Sequence, residues 1–340
     1  MAAQHRGTDL VDRFGRTVTD LRVSLTDRCN LRCTYCMPAE GLDWLPSAEL
    51  LTGEEITRVV SAAVASGVTE VRFTGGEPLL RRDLVDIVAA VARLRPRPSL
   101  SLTTNGLGLT RLAGPLADAG LDRVNVSVDT LDRAKFAEIT RRDRLEEVLE
   151  GLAAARDAGL APVKVNAVLM RGVNDAELPD LLRWCLREGY QLRVIEQMPL
   201  DPQHGWDRER MVTAAQALAL LQQHFELEPE PEAVRGSAPA ETWIVNGGPG
   251  KVGVIGSVTR PFCGACDRLR LTADGQLRNC LFARDETDVR TVLRSGLSGP
   301  ALDAALAERL RANVHAKRAG HGIGEPGFVQ PDRPMSAIGG

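Results

Sequence analysis

Strand-like and helical segments alternate along residues 21–196, and this alternation limits the possible folds more than any other feature of the chain. Several helical segments end in a glycine shortly before the next apolar segment, a common helix C-cap. Strand–helix repetition with short connections predicts an α/β fold with a parallel sheet. Six such units are too few for the eight of a closed TIM barrel, so the periodicity fits a partial barrel or an open doubly wound sheet. The predicted strands are LRVSL, EVRFT, LSLTT, RVNVSV, VKVNAVL and LRVIEQ, and the glycines are Gly67, Gly120, Gly159 and Gly189.

The composition changes after this region. Residues 227–241, LEPEPEAVRGSAPAE, are rich in Pro, Glu and small residues and predict an exposed connection. Strand-like pieces (ETWIVN, KVGVIGSV, RLRLTADGQLRN) and two helical segments, near 286–296 and 299–313, follow it. We therefore expect a barrel part at 1–226, the connection, and a smaller α+β module at 242–340, whose last residues show no periodicity.

Charge and cysteine content narrow the function classes. The net charge of −3 predicts no bulk attraction to nucleic acid or to a membrane. No apolar run reaches the length of a membrane span, and the first residues do not resemble a secretory signal. We therefore expect a cytoplasmic protein, in a reducing environment that disfavours disulfides. Six of the seven cysteines form two triads, and Cys185, in a helical segment, is expected to be a buried apolar residue.

The first triad is Cys29, Cys33 and Cys36, in a CxxxCxxC pattern directly after the first predicted strand. Three thiolates can hold three irons of a four-iron cluster and leave the fourth iron open. A structural zinc site is the alternative, but it needs four ligands, and no fourth ligand is apparent nearby.

The second triad, Cys263, Cys266 and Cys280, also lacks a fourth ligand. Arg268 and Arg270 stand between its members and would lie on one face of a strand. Arginine suits phosphate because its planar fork donates two parallel hydrogen bonds. The chain has no complete Walker A loop, so a bound nucleotide would have its phosphates held by side chains, to which Arg22 of the first strand would add.

The motifs resemble those of a known family. Tyr35 before the last cysteine of the first triad, and Gly75-Gly76-Glu77-Pro78 after the second strand, resemble the signatures of the radical S-adenosylmethionine (radical SAM) superfamily. The wider pattern resembles the molybdenum cofactor biosynthesis protein A family, from about Asp12 to Gly340. Asp267 departs from it, since the family often has Asn there. The wider pattern is VRFTGGEPLLRRDL, LTTNG, NVSVDTLD, VKVNAV, FCGACDRLRLTADGQLRNCLF and the terminal MSAIGG.

The resemblance implies a fold and an activity. The fold would be an incomplete (β/α)6 TIM-like barrel with a small C-terminal α+β module that carries a second iron–sulfur cluster. The activity would be that of a GTP 3′,8-cyclase, a lyase of molybdenum cofactor (molybdopterin) biosynthesis that makes 3′,8-cyclo-7,8-dihydro-GTP. Its cofactors would be two [4Fe-4S] clusters and S-adenosyl-L-methionine, whose 5′-deoxyadenosyl radical removes the 3′ hydrogen of GTP. The implied partners are an electron donor, cyclic pyranopterin monophosphate synthase downstream, and a second copy in a homodimer.

The resemblance also assigns roles to residues. The two triads would each hold a cluster. The tail, ending in Gly339-Gly340, would enter the active-site pocket, which residues without Cβ can do in a narrow channel. Most of the other residues, taken one at a time, could be ordinary core or surface residues. Their joint placement at the ends of the predicted strands favours a role in binding S-adenosylmethionine or GTP. The expected contacts are Tyr35, Gly76, Ser127 and Met198 with S-adenosylmethionine, and Arg22, Arg72, Thr103, Lys164, Arg268, Leu269 and Arg270 with GTP; the expected catalytic residues are Arg22, Arg268, Arg270, Gly339 and Gly340.

Two other functions fit parts of the sequence. A radical SAM enzyme that modifies a peptide would also have an auxiliary cluster, but such enzymes usually have more C-terminal cysteines and do not need the Arg268/Arg270 pair. A non-enzymatic iron–sulfur or zinc protein, acting in electron transfer or RNA binding, would not need the GGEP segment or the strand–helix repeats.

Overall fold

Twelve strands form one sheet in the computed structural model, which describes residues 9–339. Strands β1 to β6 are parallel and adjacent in chain order. Strand β10 pairs in parallel with β1, and β9 with β6, while the outer strands are antiparallel. The strands are β1 Asp20–Ser24, β2 Glu70–Thr74, β3 Ser99–Thr104, β4 Arg123–Ser127, β5 Lys164–Leu169, β6 Gln191–Glu196, β7 Leu227–Pro229, β8 Glu241–Val245, β9 Lys251–Ile255, β10 Arg268–Leu271, β11 Gln276–Arg278 and β12 Thr287–Asp288, in the order β12-β11-β10-β1-β2-β3-β4-β5-β6-β9-β8-β7.

The sheet order confirms an α/β fold and leaves the sheet unclosed, as expected for an incomplete barrel. All six predicted barrel strands are present. The four predicted capping glycines have positive φ angles, from 75° at Gly189 to 104° at Gly67, which glycine adopts without a steric penalty. Of residues 227–241, which were expected to be an exposed connection, seven are exposed, seven are partly buried and Ala240 is buried; the stretch includes β7 and the short helix α8. Since strands from both parts join one sheet, the domain boundaries stay a prediction.

Helices connect the parallel strands. The predicted helical segments did not include α4, α7 or the two four-residue helices α8 and α11. Helix α7 carried a recognisable signal, because Thr213 and Gln216 form a capping box at its start. None of the helices within residues 9–339 combines the length and apolar character that crossing a membrane requires. The helices are α1 Gly53–Ala65, α2 Leu84–Ala92, α3 Leu109–Asp118, α4 Arg133–Thr140, α5 Leu145–Asp157, α6 Leu178–Glu188, α7 Ala214–Gln222, α8 Glu232–Arg235, α9 Arg290–Leu293, α10 Gly299–His315 and α11 Met335–Ile338.

Each barrel strand presents two different faces. On β1 and β2, Leu21, Val23, Val71 and Phe73 are fully buried in the core that the strands share with the helices. The residues between them point to the opposite face. Parallel strands buried on both faces are usually apolar throughout. Here the interior face is polar, which makes it the place to look for a site.

Candidate active site

The first triad lies in the loop that follows β1, at the carboxyl ends of the parallel strands. Cys36 and Met37 both donate backbone hydrogen bonds to the carbonyl of Cys33, at 2.9 Å, which closes a turn. Arg141 donates to the carbonyl oxygens of Arg32 and Met37, at 2.8 and 2.9 Å. A single guanidinium therefore holds both ends of the segment that carries Cys33 and Cys36.

The thiols of this triad are enclosed and interact with one another. Burial, and then the charge of Cys29, raise the pKa of Cys36 to about 12, and burial raises the pKa of Cys33 well above its usual value. They would ionise on binding a metal, since a metal ligand must be deprotonated. Within residues 9–339 no three His, Cys, Asp or Glu side chains are arranged to hold a single metal ion. Three thiols alone fit an iron–sulfur cluster, in which each cysteine binds a different iron.

The GGEP segment packs against this loop. Gly75 has φ of 144°, and a Cβ there would lie 2.4 Å from the carbonyl oxygen of Thr26. A Cβ at Gly76 would lie 2.3 Å from the carbonyl oxygen of Arg28. The sequence suggested that these glycines let the backbone approach a ligand. The close approach that the structure shows is to the chain's own backbone, and the contact of Gly76 with S-adenosylmethionine stays a prediction.

Glu77 links the GGEP segment to the triad. It is 1% exposed and accepts hydrogen bonds from Leu79 N, Thr104 Oγ1 and Asn105 N, at 2.9, 2.7 and 2.7 Å. Burial raises the pKa of Glu77 to about 7, although these hydrogen bonds oppose the shift. Asn105 Nδ2 in turn lies 3.8 Å from Cys29 Sγ. Glu77 therefore positions Asn105 beside Cys29, a predicted cluster ligand.

Tyr35 is oriented by a buried carboxylate. Its hydroxyl donates to Asp129 Oδ2 at 2.8 Å, and Asp129 Oδ1 accepts from Val168 N at the same distance. Burial raises the pKa of Asp129 to about 6. Ser127, at the end of β4, lies two residues before Asp129.

A cavity in the barrel interior brings the second triad together with five arginines. Its walls include Cys263, Cys266 and Cys280 on one side. Phe262 also lines it, and Arg268 stacks on this ring with its guanidinium carbon 4.4 Å from the ring centroid. The arginines are Arg22, Arg72, Arg193, Arg268 and Arg270.

Strand register explains this concentration of charge. Arg22 pairs with Arg72 on β2 and with Arg270 on β10, so the three lie side by side. Burial, and then the charges of Arg72 and Arg270, lower the pKa of Arg22 well below its ordinary value. Burial, and then Arg72 and Arg123, lower the pKa of Arg193 to about 9. The lowered pKa values of Arg22 and Arg193 show that their surroundings disfavour positive charge. A bound anion would reduce this penalty.

Several of these groups are buried without a hydrogen-bond partner. Nε of Arg22, Arg72 and Arg193, Nη2 of Arg268 and Oδ1 of Asn166 all lack one. Buried polar groups are normally satisfied, and exceptions mark places where a ligand, ion or water belongs. Unpaired donors on four guanidiniums indicate an anionic ligand with many acceptor oxygens.

The C-terminal tail lies between the first triad and this cavity. Met335 lines the cavity, and the backbone of Ser336 forms a hydrogen bond with Cys36. Arg270 donates to the carbonyl oxygen of Gly339, and a Cβ at Gly339 would lie 2.4 Å from Ser24 Oγ. Gly340 lies outside the described residues. The tail therefore reaches an arginine of the cavity, while its catalytic role stays a prediction.

Comparison with known proteins identifies the family. A family model described as Radical SAM superfamily matches residues 23–185, and one described as Molybdenum Cofactor Synthesis C matches residues 190–323. A GTP 3′,8-cyclase of Streptomyces coelicolor is 64% identical over 332 residues, which are 97% of this chain and 96% of the relative. A GTP 3′,8-cyclase of Mycobacterium marinum is 62% identical over 97% of this chain and 92% of the relative. The chain belongs to the GTP 3′,8-cyclase family.

The match confirms the family predicted from the sequence and decides against the two other functions. The fold is also similar to that of Streptococcus suis SuiB in a structure with bound S-adenosylmethionine. The TM-score is 0.60 at 14% identity, over 90% of this chain and 68% of SuiB, so this likeness concerns the fold alone.

Within this member of the cyclase family, six of the residues expected to contact GTP or S-adenosylmethionine line the cavity. Gly76, Ser127, Tyr35 and Lys164 do not line it. Leu269 does not line it either: its side chain is fully buried in the core, so a contact with GTP would use its backbone. Asp267 Oδ2 accepts hydrogen bonds from Thr19 and Ser237, both at 2.8 Å. The six that line it are Arg22, Arg72, Thr103, Met198, Arg268 and Arg270.

The sequence analysis missed several residues of this site. Arg193 and Asn166 line the cavity, and their signal was present: polar residues alternate with apolar ones in β5 and β6, where a buried parallel strand would be apolar. Asn105, Asp129 and Lys317 reach the triads through contacts between segments far apart in sequence. Asn105 and Asp129 lie in the LTTNG and NVSVDTLD segments of the family pattern, but the spacing along the chain does not show what they contact.

Proposed function

We propose that the chain is a GTP 3′,8-cyclase that converts GTP to 3′,8-cyclo-7,8-dihydro-GTP in molybdenum cofactor biosynthesis, and that GTP binds in the arginine-lined cavity. The carrying observation is that this cavity joins buried, partly unpaired arginines with the second triad. Two relatives that carry the name of this activity are 62–64% identical to the chain, and the match covers 92–96% of their length.

The arginines would hold the triphosphate. Guanidinium forks bind phosphate oxygens in pairs, and the enclosed interior strengthens each contact. Lys164 lies on β5 beside this group, and burial, followed by the charges of Arg193 and Arg123, lowers its pKa to about 7. An anion nearby would raise that pKa again, so Lys164 would become fully charged when GTP binds.

The two triads would hold the two [4Fe-4S] clusters at opposite sides of the substrate. Their donor sets fit, since each offers three thiols without a fourth protein ligand. When bound, the first cluster supplies the electron that cleaves S-adenosyl-L-methionine. Asn105 and Tyr35 would hold the loop that carries its ligands, and the tail from Met335 to Gly339 would exclude water between the two sides. The ribose would then lie between the triads, held by the phosphate and the base at its two ends.

The remaining assignments belong to the same proposal. The activity requires an electron donor, and the product would pass to cyclic pyranopterin monophosphate synthase. We also propose a homodimer and a cytoplasmic location, which gel filtration and cell fractionation would test.

The test of the activity is turnover. Protein purified without oxygen and reconstituted with iron and sulfide is incubated with GTP, S-adenosylmethionine and dithionite. We expect 5′-deoxyadenosine and the cyclised nucleotide in equal amounts by mass spectrometry. ATP in place of GTP is the control. Formation of 5′-deoxyadenosine with no GTP-derived product would contradict the proposal.

A further inference from the structure

Lys317 follows α10 and is buried, with 2% of its surface exposed. Lysine is almost never fully buried unless its charge is paired. Within residues 9–339, however, no carboxylate is among the groups that accept a hydrogen bond from its ammonium. One of its three acceptors, Cys266 Sγ, becomes negatively charged when it binds a metal as a thiolate. The counter-charge of this buried cation is therefore the second triad.

The ammonium has three donors, and each has a partner. Nζ lies 2.8 Å from the carbonyl oxygen of Arg268, 2.7 Å from that of Asn279, and 3.8 Å from Cys266 Sγ. The two carbonyls belong to β10 and to the residue directly before Cys280. Lys317 thus joins the two segments that carry these cysteines, and it holds the backbone of Arg268, whose side chain faces the cavity.

We propose that Lys317 is a positioning residue for the second iron–sulfur cluster: it fixes the segments of Cys266 and Cys280 and supplies a positive charge that raises the reduction potential of the cluster. The inference rests on the proposed second cluster. Reduction adds one negative charge to a cluster already surrounded by thiolates. A buried cation at hydrogen-bond distance from a ligand sulfur favours that added charge.

Two neighbouring cations have other contacts as well. Arg268 stacks on Phe262, faces the substrate cavity and forms a side-chain hydrogen bond with Cys266, so its charge also acts on this thiol. Arg16 is engaged by the carboxylate of Asp12 at 2.5 Å and by backbone carbonyls, including that of Cys263. Lys317 differs from both because its ammonium contacts Cys266 and the carbonyls of both flanking segments.

The experiment compares Lys317→Met, which keeps the side-chain length without the charge, with Lys317→Arg, which keeps the charge. Lys251→Met is the matched control, because Lys251, at the start of β9, is a partly exposed lysine paired with Glu230. All are made in the full chain with Cys29, Cys33 and Cys36 changed to Ser, so that only the second cluster is present. Iron is counted, and the cluster is titrated with dithionite under electron paramagnetic resonance.

We expect Lys317→Met to keep its iron but to be reduced with an equilibrium constant about tenfold less favourable, a shift of about 59 mV for one electron. Lys317→Arg should have a reduction potential close to that of the parent, and Lys251→Met should have the same potential as the parent. Loss of iron in Lys317→Met but not in Lys317→Arg would also support the proposal, since the charge would then be needed to hold the cluster.

Two results would overturn it. An unchanged potential in Lys317→Met would show that the charge does not act on the cluster, and loss of iron in both Lys317 variants would show a purely steric role. Absence of a cluster from the parent with an intact Lys317 is a separate result, since it would refute the proposed second cluster itself.

Discussion

Replacing Arg193 with Met tests whether the barrel arginines bind phosphate. Arg193 lines the cavity with an unpaired buried Nε, and Met keeps much of its volume without the charge. Loss of a charge-assisted hydrogen bond should cost about 1.5–3 kcal/mol, roughly a ten- to hundredfold weaker affinity for GTP. Guanosine, which has no phosphate, should bind the variant and the parent equally well.

The same substitution should stabilise the protein without ligand. Burial and the charges of Arg72 and Arg123 disfavour the Arg193 cation, as its lowered pKa shows. Replacing a buried ion pair with well-packed apolar side chains is often neutral or stabilising, by up to about 4 kcal/mol, and we expect a change of the same sign here. Weaker GTP binding and greater stability in one variant is a combination that general damage to the fold does not produce.

Titration calorimetry with GTP and with guanosine measures the first effect, and urea unfolding of the iron-free protein measures the second. Arg183→Met is the control, because Arg183 lies on α6 with 43% of its side chain exposed and pairs with Asp180. If Arg193→Met left GTP affinity unchanged, or weakened guanosine binding as much as GTP binding, the assignment of this arginine to the triphosphate would be wrong.

Three further predictions concern the triads, the tail and Glu77. Alanine at Cys185, which is fully buried, should leave iron content and activity near those of the parent, whereas alanine at any triad cysteine should lose one cluster's worth of iron; cluster loss in Cys185→Ala would overturn the two-triad assignment. Deleting Gly339 and Gly340 should leave both clusters and GTP binding intact but nearly stop cyclisation, with rescue by an added tail peptide; full turnover would make the tail dispensable. Burial raises the pKa of Glu77 from 4.5 to about 7, so the folded state holds this proton more tightly than the unfolded state does. About 3 kcal/mol of the free energy of unfolding, present below pH 4.5, is therefore lost as the pH rises to about 7. In urea unfolding of the iron-free protein, Glu77→Gln should lose less of its free energy of unfolding than the parent as the pH rises. The same dependence on pH in variant and parent would refute this prediction.

Much of the barrel could be predicted from local patterns. Strands such as EVRFT, and the helix ends marked by glycine, are set by residues that are neighbours in the sequence. The six predicted barrel strands and the four capping glycines lie where they were expected. The C-terminal module was harder. Its strands β9 and β10 are short and extend opposite sides of the barrel sheet, although they are close in sequence. Local periodicity does not contain such pairings.

The sequence was sufficient to recognise the two cysteine triads, the GGEP segment, and Arg268 and Arg270 at alternate positions. Each of these features depends only on residue types and their spacing along the chain. The contacts between distant residues follow from the folded structure. It placed Arg193 beside Arg72, Asn105 beside Cys29, and Lys317 between the ligands of the second triad. Charge and hydrogen bonding act over a few ångströms in space, whereas the residues that these contacts join are at least 37 positions apart in the chain.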